Sequence, residues 1–503
     1  MVVRLRVSLF LSVIAAFAVI SPGVRAAQFA DLSAGGRTTC GTTAEGLLYC
    51  WGDGREGQLG RIGANSARHP VRVVGIYDAQ QVAAGTNFGC TVLNRGSQIN
   101  VQGIYACWGD GLSGQLGTGT FDRAQYPQQV RTPDGFTRIE VGSTSTCGIG
   151  AGGGVWCWGD DRVGQLGDGS AQPKLAAPIP VPGLSSGVTD LALGELHACA
   201  VRADKVPVCW GFVAEGRTGQ PPTPDVAPIV YPTAVPGLSD IVDVAAGSVH
   251  TCALRGTDGT VWCFGQNVRG QLGSGVPVGA FSATPIQVPG ITGATAIAAG
   301  GQSTCAVAGG RVWCWGDGQE GKLGNGSRAD SNVPVAAAGL TDVAKITVGT
   351  NHACALTSKG APFCWGANRY GQVGNGDVTG VNAREETPVR VTDYDLGRLT
   401  FIPRALQSFP TGTGGGVIEA RGFIIRKTSS RYSCPKRGTI RISAKGKAAV
   451  RKVTFTRRSS TACRLSGSFL LPSKSDGATA VRYSVRGTHL RTASGRLRAQ
   501  KAG

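Results

Sequence analysis

The reactive side chains of this 503-residue chain are dominated by sixteen cysteines that fall into eight close pairs. These are Cys40 with Cys50, Cys90 with Cys107, Cys147 with Cys157, Cys199 with Cys209, Cys252 with Cys263, Cys305 with Cys314, Cys354 with Cys364 and Cys434 with Cys463. Paired thiols either ligate zinc or oxidise to disulfides. Zinc fits poorly, because no C-x-x-C occurs and the chain has only five histidines. Hairpins fit better. The midpoint between Cys252 and Cys263 falls at Thr257-Asp258, so the two residues face each other on neighbouring strands. Facing Cα atoms in an antiparallel pair lie about 4.5–5.5 Å apart, a gap a disulfide spans. The spacing of Cys90 and Cys107 is wider because its turn is extended from Asn94 to Gly103.

Other residue types that could carry chemistry point to structure instead. His197, His250 and His352 occupy one repeat position that elsewhere holds Thr38, Phe88, Ser145 or Ser303, which suits hydrogen bonding within the fold. Asp53, Asp110, Asp160 and Asp317 follow a W-G pair without a D-x-D-x-D-G calcium loop, so they are expected to form Asx turns. No nucleophile elbow, P-loop or paired carboxylates stand out, and neither cofactor nor metal is expected. A non-enzymatic protein is the leading expectation, with a secreted hydrolase or lyase acting at an unrecognised site as the alternative.

The elements that hold these residues announce themselves by repetition. WGDGREGQLG at 51–60 returns at 108–117, 158–167, 210–219, 264–273, 315–324 and 365–374, at steps of 50 to 57 residues. A period near fifty indicates propeller blades or arrays. Within each copy, short apolar runs such as Val242–Leu254 and Val261–Gly265 are split by Gly and Asp, the pattern of hairpins, and no helical period is sustained. Trp51, Trp108, Trp158, Trp210, Trp315 and Trp365 stand at equivalent positions and are expected between blades. Trp156, Trp262 and Trp313 lie two residues upstream, on the same strand face.

The motifs A-G-x-x-H-x-C-A-L, V-x-C-W-G and W-G-x-x-x-x-G-Q-L-G resemble the repeat of the regulator of chromosome condensation family over about residues 28 to 391. The resemblance implies an all-β fold, a seven-bladed β-propeller, that serves as a protein-binding platform. The family's founding member acts on a small GTPase inside the nucleus, a partner that export would exclude. A secreted bacterial β-lactamase inhibitor of similar fold shows that tight protein binding by blade loops is compatible with export.

Export is read from the first residues. Arg4 and Arg6 precede the apolar run Val7 to Val19, and Val24-Arg25-Ala26 offers a cleavage site, so residues 1–26 are expected to be a signal peptide. The expected product is secreted or held at the cell surface, with no later membrane segment. Charge then divides the chain. Residues 398 to 503 hold 23 Lys and Arg against Glu419 and Asp476, a net of +21, whereas residues 27 to 397 carry −5. The expected domains are therefore a propeller at 27–397, a linker at 398–416 and a small basic β-sandwich-like domain at 417–503. In the last, Val481, Tyr483 and Val485 alternate with Arg482, Ser484 and Arg486, and Ile440-Arg441-Ile442 repeats the pattern. The sandwich is expected to be bridged by Cys434 and Cys463. Arg441, Arg482 and Arg486 are the candidate contacts to anionic cell-wall polymer or a membrane surface; solubilisation and docking on the propeller are alternatives. Nucleic acid suits the charge but neither the compartment nor the motifs.

Departures from the repeat mark candidate binding loops for an extracellular protein or glycan. Repeat 2 contributes Asn94, Arg95, Gln98 and Asn100 from its extended hairpin. Repeat 4 contributes Arg217, Gln220, Thr223 and Asp225, where the G-Q-L-G ending is lost and a Pro-rich insertion follows.

Overall fold

The computed structural model describes residues 28–61, 63–93, 105–130, 135–221, 227–275, 277–377 and 383–392, together with the backbone of seven strands between 400 and 498. The repeats form seven four-stranded antiparallel sheets, each built from four consecutive strands. In blade 1 these are Phe29–Ala34, Thr38–Thr43, Leu48–Asp53 and Ser66–Arg72, counted from the centre of the ring outward. Second strands are buried on both faces, because a blade packs on each side. Every residue of Thr38–Thr43 and Ser145–Gly150 is buried, which accounts for their small and apolar composition.

The expected hairpin register is what forms. Cys40 faces Cys50, Cys90 faces Cys107, Cys147 faces Cys157 and Cys199 faces Cys209. Likewise Cys252 faces Cys263, Cys305 faces Cys314 and Cys354 faces Cys364. All seven blade pairs are disulfides, with Cα atoms 4.0 to 4.1 Å apart. On the loop-entropy account a ten-residue loop closed this way stabilises by about 2.7 kcal/mol.

The repeated motif is a latch between neighbouring blades. Gln115 turns its main-chain carbonyl toward blade 3, where Trp158 Nε1 and Thr146 Oγ1 both donate to it at 2.9 Å. Trp108, Trp210, Trp315 and Trp365 donate in the same way to Gln58, Gln165, Gln271 and Lys322 of the preceding blade, at 2.7 to 3.0 Å. All six motif tryptophans are fully buried. The glycine closing the motif lies against that ring: a Cβ on Gly117, at φ +66°, would stand 2.7 Å from Trp158 Nε1. The glycine opening G-Q-L-G meets main chain instead, since a Cβ on Gly114 would stand 2.6 Å from the Leu175 carbonyl oxygen of the next outer strand.

Ring closure repeats these contacts between blades 7 and 1. Lys345 pairs with Asp31, Thr347 Oγ1 accepts the Ala34 amide at 3.0 Å, and Thr350 N donates to Gly35 O at 3.2 Å. Among the described residues no strand is exchanged across the join. Each outer strand bulges opposite the motif aromatic, and the bulge carries a proline: Pro70, Pro127, Pro178, Pro232, Pro285, Pro334 and Pro388. Proline and a bulge at a sheet edge both oppose pairing with another chain.

Beyond the ring, seven strands from Thr400–Thr411 to Ala493–Arg498 are ordered in one sheet. Strands Thr400–Thr411 and Gly415–Ile425 pair antiparallel at one edge of that sheet. Arg441 pairs with Ser484, between Arg482 and Arg486, which places the three arginines on one face. Cys463 lies on strand Ala462–Leu470, opposite Ile424 on one side and Arg457 on the other. Its expected partner Cys434 lies outside the described residues, and so therefore does the disulfide expected between Cys434 and Cys463.

Candidate functional site

The inner strands end in an A-G-type turn, and the seven turns ring the mouth of the central channel. The mouth is open to solvent and is walled largely by main chain, including Gly35, Gly85, Gly142, Gly194, Gly247, Gly300 and Gly349. Ser143, Ser248, Thr86 and Thr350 add hydroxyls, and Glu195 is the charged residue in the wall. The variable loop of each G-Q-L-G motif opens on this same face, because the third strand runs toward it.

Below the mouth, the channel wall is stitched by side chains of the inner strands. Asp31 Oδ2 accepts the Val82 amide of the next blade at 2.8 Å, and Gln81 Oε1 accepts Ile139 N at 2.9 Å. Asp190 and Asp243 do the same for Val244 N and Ile297 N, at 2.8 and 3.1 Å. Arg138 pairs with Glu140 at 2.8 Å and also with Asp190. Burial, and then the charge of Asp190, holds the Asp243 carboxyl well above the usual carboxylate range. Carboxylates therefore do converge here, but each is committed to joining blades.

The histidines have the structural role expected of them. His197, His250 and His352 Nε2 meet Thr251, Thr304 and Thr39 Oγ1 of the next blade at 2.8, 2.7 and 2.7 Å. Those hydroxyls donate their one proton to the carbonyls of Arg217, Gln271 and Gln372. The histidine must then be the donor, which fixes the Nε2–H tautomer and leaves Nδ1 bare, buried and without a hydrogen-bond partner among the described residues. Burial pushes His250 and His352 down to about 3 and His197 well below its usual range. The aspartates form the expected turns: Asp53, Asp110, Asp160 and Asp317 Oδ1 accept the amide two residues on, at 2.9 to 3.3 Å.

Of the candidate loop residues, Asn94, Arg95, Gln98, Asn100, Thr223 and Asp225 lie outside the described residues. The described residues flanking the first four, Leu93 and Tyr105, sit at the end of blade 2 away from the mouth. Gln220 is half-exposed beside the mouth-side motif loop of blade 4. Arg217 needs correcting as a loop contact: it is 4% exposed. It occupies the Gln position of the latch, where the side chain turns inward, and it bonds Ala214 O at 3.0 Å, Ser248 O at 3.3 Å and Glu215.

One cluster on the mouth face was missed from sequence. Arg37, in the blade 1 mouth turn, and Arg55, in the blade 1 motif loop, lie 5.1 and 4.8 Å from the centre of the Tyr370 ring of blade 7. Aligning the seven copies would have exposed it, since no other blade carries an arginine at the position of Arg37.

Comparison with known proteins agrees with this architecture. The regulator of chromosome condensation (RCC1) repeat matches residues 45–92, 106–149, 152–201, 258–307 and 309–356, and a second form of it matches 29–58, 241–271 and 343–372. The ultraviolet-B receptor UVR8 of Arabidopsis thaliana is 30% identical over 318 residues, covering 61% of this chain and 69% of the receptor. The human E3 ubiquitin-protein ligase HERC2 is 28% identical over 46% of this chain, which spans only 5% of that ligase. Among solved structures, Prp20p of Saccharomyces cerevisiae superposes with a TM-score of 0.60 at 18% identity, covering 73% of this chain and 90% of its own. Human WBSCR16 gives 0.58 at 19% identity, covering 66% and 88%. Seven latched blades, the repeat match and these relatives agree: the chain belongs to the regulator of chromosome condensation repeat family and folds as its seven-bladed propeller.

Proposed function

We propose that this protein is an exported, non-enzymatic binding protein whose mouth-face loops recognise a protein or glycan outside the cell. The observation that carries the reading is the fate of the repeated motif. Its tryptophans, glycines and main-chain carbonyls, and the histidines, are consumed in joining blades, so the variable loops hold the chemistry left free. A rigid ring presenting variable loops is a recognition scaffold. The solved-structure description of the yeast relative Prp20p names binding to Gsp1p and histones, which supports a binding role of this general kind. The seven blade disulfides support an oxidising compartment, since a reducing cytosol keeps thiols apart. In this reading residues 417–503 tether the protein to anionic envelope polymer or a membrane surface, and a small GTPase is not the partner.

Affinity capture tests the reading. The full-length secreted chain should retain a specific component from culture supernatant or envelope fractions. Replacing residues 220–226, which follow the mouth-side motif loop of blade 4, should reduce that capture, and shortening residues 94–103 of blade 2 should not. N-terminal sequencing should give Ala27. A protein kept inside the cell with free blade thiols, or capture abolished only by the change at 94–103, would overturn the proposal.

A further inference from the structure

A repeat protein carries its own internal control, because equivalent positions can be compared blade by blade. The motif loops of blades 1 and 3 share an Asp-x-Arg pair. Arg162 holds Asp160 at 2.7 Å in blade 3, as Arg55 holds Asp53 at 2.6 Å in blade 1. The seam of blades 7 and 1 then departs from the repeat twice at one place. Arg37 stands where the other blades have Asn87, Thr144, Leu196, Val249, Gln302 and Asn351. Tyr370, reaching over from blade 7, stands where the others have Glu56, Ser113, Val163, Glu215, Arg269 and Glu320. The two departures meet, with both guanidiniums against one phenol ring.

Two guanidiniums here share one carboxylate. Arg55 binds Asp53 through Nε and Nη2 at 2.9 and 2.6 Å, whereas Arg37 reaches it only at 4.0 Å, beyond hydrogen-bond distance. None of the five donors of Arg37 has a hydrogen-bond partner among the described residues, and its side chain is 48% exposed. Stacking on Tyr370 limits its freedom without using those donors, so ordering it on binding costs less entropy. A planar, pre-positioned fork of this kind matches a carboxylate.

We infer that Arg37, stacked with Arg55 on Tyr370 at the seam of blades 7 and 1, is a recognition site for a carboxylate of an acidic peptide segment on a protein partner. The inference rests on the binding-platform reading and narrows it to a chemistry. The ligand carboxylate takes the free edge of Arg37, while Asp53 keeps Arg55 in place and limits the excess charge to one unit.

The test must read the site locally, because the basic C-terminal region also attracts anions. Arginine modification by a dicarbonyl reagent, mapped by peptide mass spectrometry on the full-length chain, does so. A hexaglutamate peptide should slow modification of Arg37 at least fivefold at concentrations where inorganic phosphate has no effect. Arg162, with the same aspartate pairing but no tyrosine, should be unaffected. Tyr370→Leu should weaken protection of Arg37, and neither Tyr370→Leu nor Arg37→Gln should change the circular dichroism spectrum. Equal protection of Arg37 and Arg162, or equal protection by phosphate and peptide, overturns the inference. If the captured partner binds Arg37→Gln as well as the unaltered protein, this site falls while the platform reading stands.

Discussion

Acid should loosen the ring through its buried histidines, and the size of the effect follows from the tautomer argument. In the folded protein Nδ1 of His250 is buried without a partner and its pKa lies at about 3. In the unfolded chain the same ring titrates near 6.5. The folded state binds fewer protons, so stability is complete above about pH 6.5 and is lost as pH falls toward 3. At one pKa unit per 1.36 kcal/mol, His250 and His352 each withdraw about 2 kcal/mol at pH 5, and His197 acts in the same direction. Asp243 acts the other way: its raised pKa adds stability as pH falls through the folded value, which partly offsets the histidines. The mutant difference isolates the histidine share. His250→Gln keeps an amide donor for Thr304 and removes the titration, so its loss of stability between pH 7.5 and pH 5 should be smaller than that of the unaltered protein by about 2 kcal/mol. All nine tryptophans lie in the propeller, so their fluorescence during guanidinium unfolding reports the ring alone even in the full chain. If His250→Gln and the unaltered protein lose stability in parallel between these pH values, the buried neutral histidine is the wrong account.

Other perturbations address the latch, the staples and the tail. Gly117→Ala meets Trp158 and a positive φ together, so it should cost about 2–4 kcal/mol in denaturant unfolding, against about 1 kcal/mol for Gly119→Ala, where φ is also positive but no atom lies within 4 Å. Trp315→Phe removes the 3.0 Å bond to Gln271 O and should cost about 1 kcal/mol beyond any packing loss. Replacing Cys90 and Cys107 together by Ser opens a 17-residue loop and should cost about 3 kcal/mol, slightly more than the same change at Cys147 and Cys157. If the tail tethers the protein, the full chain should bind anionic polymer at low salt and release it toward 0.15 M, where screening acts within about 8 Å. Arg441→Ser, Arg482→Ser and Arg486→Ser combined should weaken that binding.

The ring was legible in the sequence because every blade must solve the same packing problem. Trp, Gly and Gln recur since each meets the neighbouring blade in the same way, and the cysteine spacing carries the hairpin register. The channel wall was not legible. Asp31, Gln81, Asp190 and Asp243 accept there at one repeat position that holds Arg138, Ala296 and Lys345 in the other blades, so no fixed residue type marks it. Arg217 was misplaced for a related reason. The loss of G-Q-L-G looked like a loosened loop, yet the position still points inward, and a long cation reaches Glu215 and two carbonyls from it. The pairing of Arg37 with Tyr370 joins residues more than three hundred positions apart, which only closure of the ring brings together.

Because every blade sheet and every described disulfide closes within one repeat, the connectors between blades only tether neighbours that the latch already holds. Blade order along the chain is therefore a separate matter from blade order around the circle. The join of blades 7 and 1 shows that two neighbours can be held by side contacts alone, with hundreds of residues between them in sequence. A gene cut at any connector and rejoined through a linker from residue 392 to residue 28 should encode the same ring. A single proteolytic nick between blades should likewise leave the circle whole, so a protein of this build can be clipped in its surroundings and go on presenting its face.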